Sequence, residues 1–274
     1  MNPAAYAIST EFLNCDGRKL FTLTFKPEGA PARGAVLFLP PFAEEMNKSR
    51  RTVALSARAL AAAGYCVMLL DPSGCGDSSG DFSEATWGNW KRDADCAITR
   101  LKQLFDLPIT LWGLRLGALL ACDVAVARSD LHSLILWQPV LNGEQHVDQF
   151  LRFELAGQAL KGKVGFDRAS LWNELRNSRP LQVAGYHLSS QLALDIARHR
   201  LADLHPGCSV TWLDIARPSA AEPNVASVNV MGLWRKKGVP VTWACSDGEV
   251  FWRNVDAPDS PALPVATVTA LSCQ

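Results

Sequence analysis

The sequence has no excess of charge of either sign and no long uninterrupted apolar run. Lysine plus arginine and aspartate plus glutamate number 27 each among 274 residues, so the formal net charge is zero. Without a net positive field, long-range attraction to nucleic acid or to an anionic membrane surface is not expected. No apolar run approaches the roughly 18 residues that a membrane-spanning helix needs. We therefore expect a soluble protein that binds no nucleic acid and has no membrane span.

Motifs of cysteine and histidine are also missing. The eight cysteines include no Cys-x-x-Cys pair and form no cluster with histidine at metal-ligand spacing. Three of them, Cys66, Cys96 and Cys122, lie within apolar strand or helix patterns, where cysteine acts as a small hydrophobic residue. The first residues carry neither the basic region nor the apolar core of a secretory signal peptide. These features predict reduced thiols, a cytoplasmic location, and neither a metal nor another cofactor.

What the chain does contain is an alternation of short apolar runs and longer amphipathic stretches. Strands are predicted at residues 7–15, 20–27, 35–39, 65–70, 109–112, 134–140, 209–215 and 239–245. Helices are predicted at about residues 47–63, 87–105, 117–129, 189–204 and 225–237. Asn47 is the predicted N-cap of the first helix. Such an alternation indicates an α/β fold with a mainly parallel sheet and helices on both faces. Between residues 142 and 190 the regularity fades and no strand-like run is evident.

The chain is organised around residues 109–121, Ile-Thr-Leu-Trp-Gly-Leu-Arg-Leu-Gly-Ala-Leu-Leu-Ala. A β-type run is followed by a Gly-x-x-x-Gly turn and a helical run, and Gly113 and Gly117 let strand and helix approach closely. This is the order of a nucleophile elbow, whose central residue stands on a strained turn. A nucleophile there would be serine, cysteine or aspartate. In this chain the residue is Arg115.

Other segments extend a resemblance to the α/β-hydrolases. Residues 71–80, Asp-Pro-Ser-Gly-Cys-Gly-Asp-Ser-Ser-Gly, look like the Asp-x-x-Gly-x-Gly-x-Ser loop that follows the fourth strand of that fold. Residues 40–51, Pro-Pro-Phe-Ala-Glu-Glu-Met-Asn-Lys-Ser-Arg-Arg, occupy the position of its oxyanion loop. Together with the 113–118 elbow and Val-Ala-Gly-Tyr at 183–186, they resemble one subgroup, the exosortase A system-associated hydrolases of type 2. The resemblance covers essentially the whole chain.

The resemblance implies an architecture and a biological setting. It implies one α/β-hydrolase domain over residues 1–274, with a helical cap inserted at residues 142–190 over the catalytic end of the sheet. It also implies a place in bacterial exosortase and PEP-CTERM sorting systems, beside exopolysaccharide biosynthesis genes. A fold does not determine a reaction, so the chemistry has to be argued from the site residues.

A serine-hydrolase mechanism needs a nucleophile, a base and an acid that orients the base. A guanidinium stays protonated, so Arg115 cannot attack a carbonyl. No histidine follows His205, and alignment of the last strand places Asp247 and Glu249 where the catalytic histidine would stand. Glu249 is the nearest replacement for the base. Asp214 is near the acid position but falls within the predicted strand.

The oxyanion site alone is retained in outline. Backbone N–H groups near Phe42 and Ala43, together with that of Leu116, are its expected donors. Glu44 and Glu45 follow in the same loop. The charge-changing replacements at both triad positions suggest that the arginine of the elbow pairs with Glu249, or with one of these two glutamates. Such a site binds an anion at a helix N-terminus, or it is a buried ion pair that fills an inactive site.

Other candidate side chains carry weaker signals. The serines of the 71–80 loop, Ser73, Ser78 and Ser79, fit ordinary turn chemistry, and Cys75 has no histidine positioned to activate it. Cys122 lies in the helix after the elbow and is expected in the core. His187 could reach the site from the cap, and Trp172 could line an apolar acyl or glycan pocket.

Two functions remain open from the sequence. In the first, the protein binds an anionic or acylated small molecule at a site centred on Arg115; any reaction would be acyl-ester or thioester hydrolysis or transfer. In the second, it is a catalytically inactive scaffold or regulator that binds a protein of the same exosortase/exopolysaccharide pathway.

Overall fold

A computed structural model describes residues 6–160, 167–216, 222–254, 256 and 260–272. Ten strands are found in these ranges: β1 (Tyr6–Cys15), β2 (Arg18–Pro27), β3 (Gly34–Leu39), β4 (Tyr65–Leu70), β5 (Ile109–Leu114), β6 (Ser133–Trp137), β7 (Leu181–Val183), β8 (Tyr186–Leu188), β9 (Ser209–Ala216) and β10 (Val241–Asp247). Eight of them form one sheet in the order β1-β2-β4-β3-β5-β6-β9-β10. In this sheet the pairs β1–β2 and β2–β4 are antiparallel. The pairs β4–β3, β3–β5, β5–β6, β6–β9 and β9–β10 are parallel.

Helices cover both faces of this sheet. The α-helices of the described residues are α1 (Glu44–Ala62), α2 (Trp87–Phe105), α3 (Leu116–Val126), α4 (Gly143–Leu160), α5 (Arg168–Arg176), α6 (Ser190–Arg198), α7 (Val225–Lys236) and α8 (Ala262–Ser272). α1 and α8 pack on one face, and α2, α3 and α7 pack on the other. Every residue of β3, β5 and β6 is buried, as expected of strands covered on both faces. The predicted fold class, a mostly parallel sheet between helices, is confirmed. No helix in the described part of the chain is long and apolar enough to cross a membrane.

The start of α1 corrects a sequence prediction. The helix begins at Glu44 with Ala43 as N-cap, four residues before the predicted cap, so Asn47 is not the cap. The amide of Asn47 instead donates to a Glu44 carboxylate oxygen at 3.2 Å and to the Tyr186 hydroxyl at 3.1 Å. Two glutamates in the first turn suit the positive end of the helix dipole, which explains how the helix starts without a side-chain cap.

Several other predicted boundaries are wrong. β6 ends at Trp137, three residues before the predicted end, because Gln138 adopts φ 41° and cannot continue a strand. The helix predicted to end at residue 129 ends at Val126, the one predicted over 189–204 ends at Arg198, and the strand predicted from residue 239 begins at Val241. The helix α8 lies in a Pro-rich tail for which no element was predicted.

The connection between β6 and β9, called here the β6–β9 segment, is more regular than the sequence suggested. It contains α4, α5, α6 and the hairpin β7–β8, so the expectation of no strand between residues 142 and 190 is wrong. Ala184 and Gly185 form the turn with φ of 49° and 89°, the two positive values that a tight hairpin turn requires. Because the first turn residue is alanine, the sequence lacks the Asn-Gly or Gly-Gly pair that usually predicts such a hairpin.

Candidate functional site

Arg115 occupies a strained turn between β5 and α3. Its φ of 55° and ψ of −115° are rarely adopted by residues other than glycine. Its N–H donates to the Trp137 carbonyl at 2.9 Å, and its carbonyl accepts from the N–H groups of Ala118 at 3.1 Å and Val140 at 3.2 Å. The elbow geometry is therefore kept by hydrogen bonds to neighbouring elements although the residue is an arginine. Strain of this kind persists only where the surrounding structure imposes it.

The two elbow glycines are required by close packing. A Cβ added to Gly113 would lie 2.5 Å from the Cα of Ala118. A Cβ added to Gly117 would lie 2.2 Å from the Leu39 carbonyl oxygen and 2.5 Å from that of Pro40. The N-terminus of α3 thus lies directly against the end of β3 and the loop that follows it.

We expect Gly117→Ala to lower the free energy of unfolding by about 2–3 kcal/mol, since α3 has to move away from backbone atoms. Gly232→Ala is the matched control, because this helical glycine in α7 has open space around its Cβ position. That control should be neutral or more stable by up to about 1 kcal/mol. Urea denaturation measures both changes, and equal values for the two variants would contradict the close packing at the elbow.

The Arg115 side chain is largely buried and makes three described contacts. Nε lies 3.4 Å from Oε1 of Glu45, and Nη1 donates to the Gln138 carbonyl at 3.5 Å. The guanidinium carbon lies 5.5 Å from the ring centre of Trp252, within cation–π range. A guanidinium has five N–H donors, and these contacts use two of them at the long limit of a hydrogen bond. The arginine therefore retains most of its capacity to bind an acceptor.

Glu45 is an imperfect partner for this arginine. Burial raises the pKa of its carboxyl group, and the attraction of Arg115, followed by that of Arg253, only partly opposes the shift. Its Oε2 is buried, and no hydrogen bond to it is found within the described residues. A buried acceptor without a donor costs free energy. The ion pair is thus under-satisfied on both sides.

The N-termini of α1 and α3 converge beside this pair. Ala43 has φ 50° and ψ −125°, nearly the backbone conformation of Arg115, so both helices start from the same kind of turn. The first N–H groups of a helix, including that of Leu116, have no acceptor within it and favour a nearby negative charge. A cavity of about 10 Å³ lies between the helices, room for one water at most. It is lined by Phe42, Ala43, Cys75, Trp90, Leu116 and Gly117, among others.

The remaining triad positions carry other interactions. Asp214 lies within β9, where its two carboxylate oxygens accept hydrogen bonds from the indoles of Trp212 and Trp243, each at 2.9 Å. Asp247 is exposed at the end of β10, and its carbonyl accepts from the hydroxyl of Ser260. Glu249 lies after that strand, and its carbonyl accepts from the Phe251 N–H at 2.8 Å. The residue of this segment that stacks on the elbow arginine is Trp252.

The acidic residues of the oxyanion loop point to different partners. Glu45 contacts Arg115, whereas Glu44 accepts a hydrogen bond from the Tyr186 hydroxyl at 3.2 Å. Tyr186 lies in β8, so this contact joins the oxyanion loop to the β6–β9 segment. Of the pairings considered from the sequence, the one with Glu45 is the pairing that the structure describes.

The 71–80 loop is built as a structural turn. The hydroxyl and N–H of Ser73 both donate to the fully buried Asp93, at 2.6 and 2.8 Å. The hydroxyls of Ser78 and Ser79 accept hydrogen bonds from backbone N–H groups of β2 at 2.8 Å. Burial raises the pKa of the Cys75 thiol to about 12, so it stays protonated. None of these side chains is in a state that favours nucleophilic attack.

One residue at the site was missed by sequence reasoning. His146 in α4 is buried, and its ring packs edge-on against Phe42 with the ring centres 5.8 Å apart. Neither ring nitrogen has a hydrogen-bond partner among the described residues. Burial, and then the positive charges of Arg115 and Arg253, lower its pKa to about 3. Its helical spacing with the apolar Phe150 could have indicated a buried position.

The two β6–β9 side chains that the sequence singled out lie elsewhere. His187 is exposed on β8. Trp172 is buried in α5, where its indole N–H donates to Asp148 at 2.6 Å. Cys122 is fully buried in the core, as expected. No group of three or more histidine, cysteine, aspartate or glutamate residues in the described ranges could hold a metal ion.

Comparison with known families assigns the chain at the level of the superfamily. Residues 30–179 match the family described as serine aminopeptidase, S33, a hydrolase family. The chain belongs to this family. The matched residues include the oxyanion loop, the 71–80 loop and the elbow. No curated protein matches the chain significantly.

Solved structures show the same fold over nearly the whole chain. Est1E from Butyrivibrio proteoclasticus, solved with ferulic acid bound, has 18% identity and a TM-score of 0.69, covering 96% of this chain and 98% of its own. Mouse alpha/beta hydrolase domain-containing protein 10 has 18% identity and a TM-score of 0.52, with 97% and 96% covered. An alpha-beta serine hydrolase homologue from Coxiella burnetii has 13% identity and a TM-score of 0.57, with 96% and 97% covered. At these identities the likeness establishes the α/β-hydrolase fold alone.

Proposed function

We propose that this protein binds an anionic or acylated small molecule at a site centred on Arg115 and works without a serine nucleophile. The observation that carries the proposal is the state of the elbow guanidinium. It stands at the N-terminus of α3, and its two polar contacts within the described residues are both long. A carboxylate or phosphate group can accept two parallel N–H donors from such a guanidinium. The helix N-terminus favours the same negative charge.

Ligand binding at this position is a competition with Glu45. Because burial already disfavours its ionised form, Glu45 is a weak competitor for the guanidinium. An incoming anion would replace Glu45 as the partner of the Arg115 guanidinium. Glu45 would then take up a proton or turn towards solvent. The small cavity beside the helix N-termini would have to widen, for which the Glu44–Tyr186 contact to the β6–β9 segment would open. We propose that this segment acts as the cap of the site.

If the protein is catalytic, its chemistry is acyl-ester or thioester hydrolysis or transfer. The carbonyl oxygen of the acyl group would accept from the Leu116 N–H and the Arg115 guanidinium, which stabilise the negative charge that develops on it. The attacking group would be water or a second substrate, because the elbow supplies none. The biological setting that we propose is the cytoplasmic side of a bacterial exosortase and exopolysaccharide system, supported by the resemblance of residues 40–51, 113–118 and 183–186.

A specific observation favours a second function, a catalytically inactive scaffold or regulator for a protein of that pathway. The described site is crowded: Trp252 stacks on Arg115, Glu45 pairs with it, and the cavity between the helix N-termini has a volume of only about 10 Å³. In that case the ion pair is structural, and the fold presents its outer surface to the partner. Ligand binding at the elbow distinguishes the two functions.

The experiment is a calorimetric titration of the full chain with inorganic phosphate and with acetyl phosphate. We expect binding that weakens at least about tenfold in Arg115→Met, since a charge-assisted pair is lost. Arg33→Met is the matched control, because Arg33 is exposed beside the start of β3, at the opposite edge of the sheet. In parallel, the wild type is treated with a fluorophosphonate, which labels serine nucleophiles, and is assayed against a panel of ester substrates.

Three results would overturn the proposal. Unchanged binding in Arg115→Met would remove the arginine-centred site, and no binding by the wild type would favour the scaffold. Fluorophosphonate labelling that one serine substitution abolishes would show that a serine nucleophile is present after all.

A further inference from the structure

His146 is a polar group buried at the candidate site for which the proposed function has no use so far. Its residue is 6% exposed, and both ring nitrogens are enclosed without a hydrogen-bond partner in the described part of the chain. A neutral imidazole has one N–H donor and one acceptor nitrogen. Buried polar groups in folded proteins are almost always paired, and each exception needs an explanation. For His146, a bound ligand would supply the missing hydrogen-bond partner.

The position of His146 is imposed by its surroundings. It lies in the first turn of α4, where its own N–H donates to the Asn142 carbonyl at 3.1 Å. The helix start is packed against α6: the Gly143 N–H donates to the His199 carbonyl at 2.9 Å, and a Cβ on Gly143 would lie 1.8 Å from the Ile196 carbonyl oxygen. The first turn of α4 is therefore packed closely against α6, and this packing keeps the imidazole enclosed next to Phe42.

The ring of His146 lies next to the Arg115 site. It packs edge-on against Phe42, which lies in the oxyanion loop and lines the cavity between the helix N-termini. The positive charge of Arg115 is close enough to disfavour protonation of the imidazole. The ring is therefore neutral at physiological pH and available both as donor and as acceptor.

We propose that His146 determines ligand specificity at this site, by hydrogen bonding to a hydroxyl group of the anionic ligand that Arg115 binds. A hydroxyl group both donates and accepts, so it matches either nitrogen of a neutral imidazole. A second carboxylate offers acceptors only, so it could pair with the N–H nitrogen alone, whereas a hydroxyl can pair with whichever ring nitrogen faces the ligand. The ligand class is a small hydroxylated anion, such as a hydroxy acid or its acyl derivative. The inference rests on the proposed function of Arg115.

The test compares two probes of equal charge, 3-hydroxybutyrate (both enantiomers) and butyrate, which differ by one hydroxyl group. Their dissociation constants are measured by ligand-observed NMR on the full chain. We expect the wild type to bind one enantiomer of 3-hydroxybutyrate roughly tenfold more tightly than butyrate, since a site that matches a hydroxyl rejects its deoxy analogue. In His146→Leu the two probes should bind equally, with butyrate affinity kept.

Further variants separate this role from a structural one. His146→Gln keeps a donor and an acceptor and should restore part of the preference. His187→Leu, the exposed histidine of β8, should leave both affinities unchanged. Arg115→Met should weaken the binding of both probes by the same factor. His146→Leu should also melt no lower than the wild type, because it removes a buried polar group that has no partner.

The outcomes are distinguishable. Equal affinity of the wild type for butyrate and both enantiomers would overturn the role of His146 and leave the proposed function standing. If His146→Leu binds neither probe and also has a lower melting temperature, His146 has a structural role and the inference is overturned. Absence of binding of either probe to the wild type would overturn the arginine-centred site and the inference with it.

Discussion

Replacing His146 with leucine is expected to remove about 3 kcal/mol of the acid-induced loss of stability between pH 7 and pH 4. Burial and the neighbouring Arg115 and Arg253 lower the pKa of His146 from 6.5 to about 3. The unfolded chain therefore binds a proton below pH 6.5 that the folded protein does not bind until about pH 3. Protonation of the unfolded state lowers the free energy of unfolding progressively as the pH falls through this range.

The measurement is urea denaturation at intervals between pH 4 and pH 7. The carboxylates common to both proteins affect the wild type and His146→Leu alike, so the difference between the two curves isolates the imidazole. His187→Leu, in which an exposed histidine is removed, should run parallel to the wild type. Parallel curves for His146→Leu as well would mean that the imidazole is solvated or hydrogen bonded in solution.

The elbow shows what local sequence can determine. Gly113 and Gly117 have the spacing that a strand–turn–helix needs, and both prove to be in contact with backbone atoms that exclude a Cβ. The central residue has φ 55° although its side chain is that of arginine. The fold class and the elbow position were therefore predictable, even with an arginine at the centre.

Partners brought together from distant parts of the chain were harder to predict. Arg115 could be matched with three glutamates from the sequence, and only the turn at Ala43 places Glu45 beside it. Trp252 reaches the guanidinium through a segment after β10 that has no regular element. His146 lies in a segment whose apolar pattern is interrupted by charged residues, so its burial depends on the docking of α4. Local periodicity can indicate that such a side chain is buried, but tertiary packing decides which residues it contacts.

The alternatives on the 71–80 loop were also decided by tertiary contacts. Ser78 and Ser79 accept hydrogen bonds from β2, and Ser73 donates to Asp93, which lies within α2 and is fully buried. Composition correctly favoured a turn, but the raised pKa of Cys75 depends on the helices packed around it.

Arg115→Met is expected to lower the free energy of unfolding by about 3 kcal/mol at pH 8 and by clearly less at pH 5. The side chains of Arg115 and Glu45 are only 12% and 20% exposed, so removal of the arginine leaves a buried, unpaired carboxylate. Burial already raises the pKa of Glu45 above its ordinary value of 4.5, and loss of the arginine raises it further. The folded protein then keeps a proton that the unfolded chain releases, so stability falls as the pH rises.

A double variant separates this cost from damage to the elbow. Glu45→Gln combined with Arg115→Met removes both charges, and we expect it to unfold within about 1 kcal/mol of the wild type, without the extra loss at pH 8. If the double variant stays as unstable as Arg115→Met, the arginine stabilises the fold through Trp252 and the Gln138 carbonyl, and Glu45 is incidental. If Arg115→Met is as stable as the wild type at both pH values, the ion pair contributes nothing to folding. That result would favour a role in binding for the charge at the strained elbow.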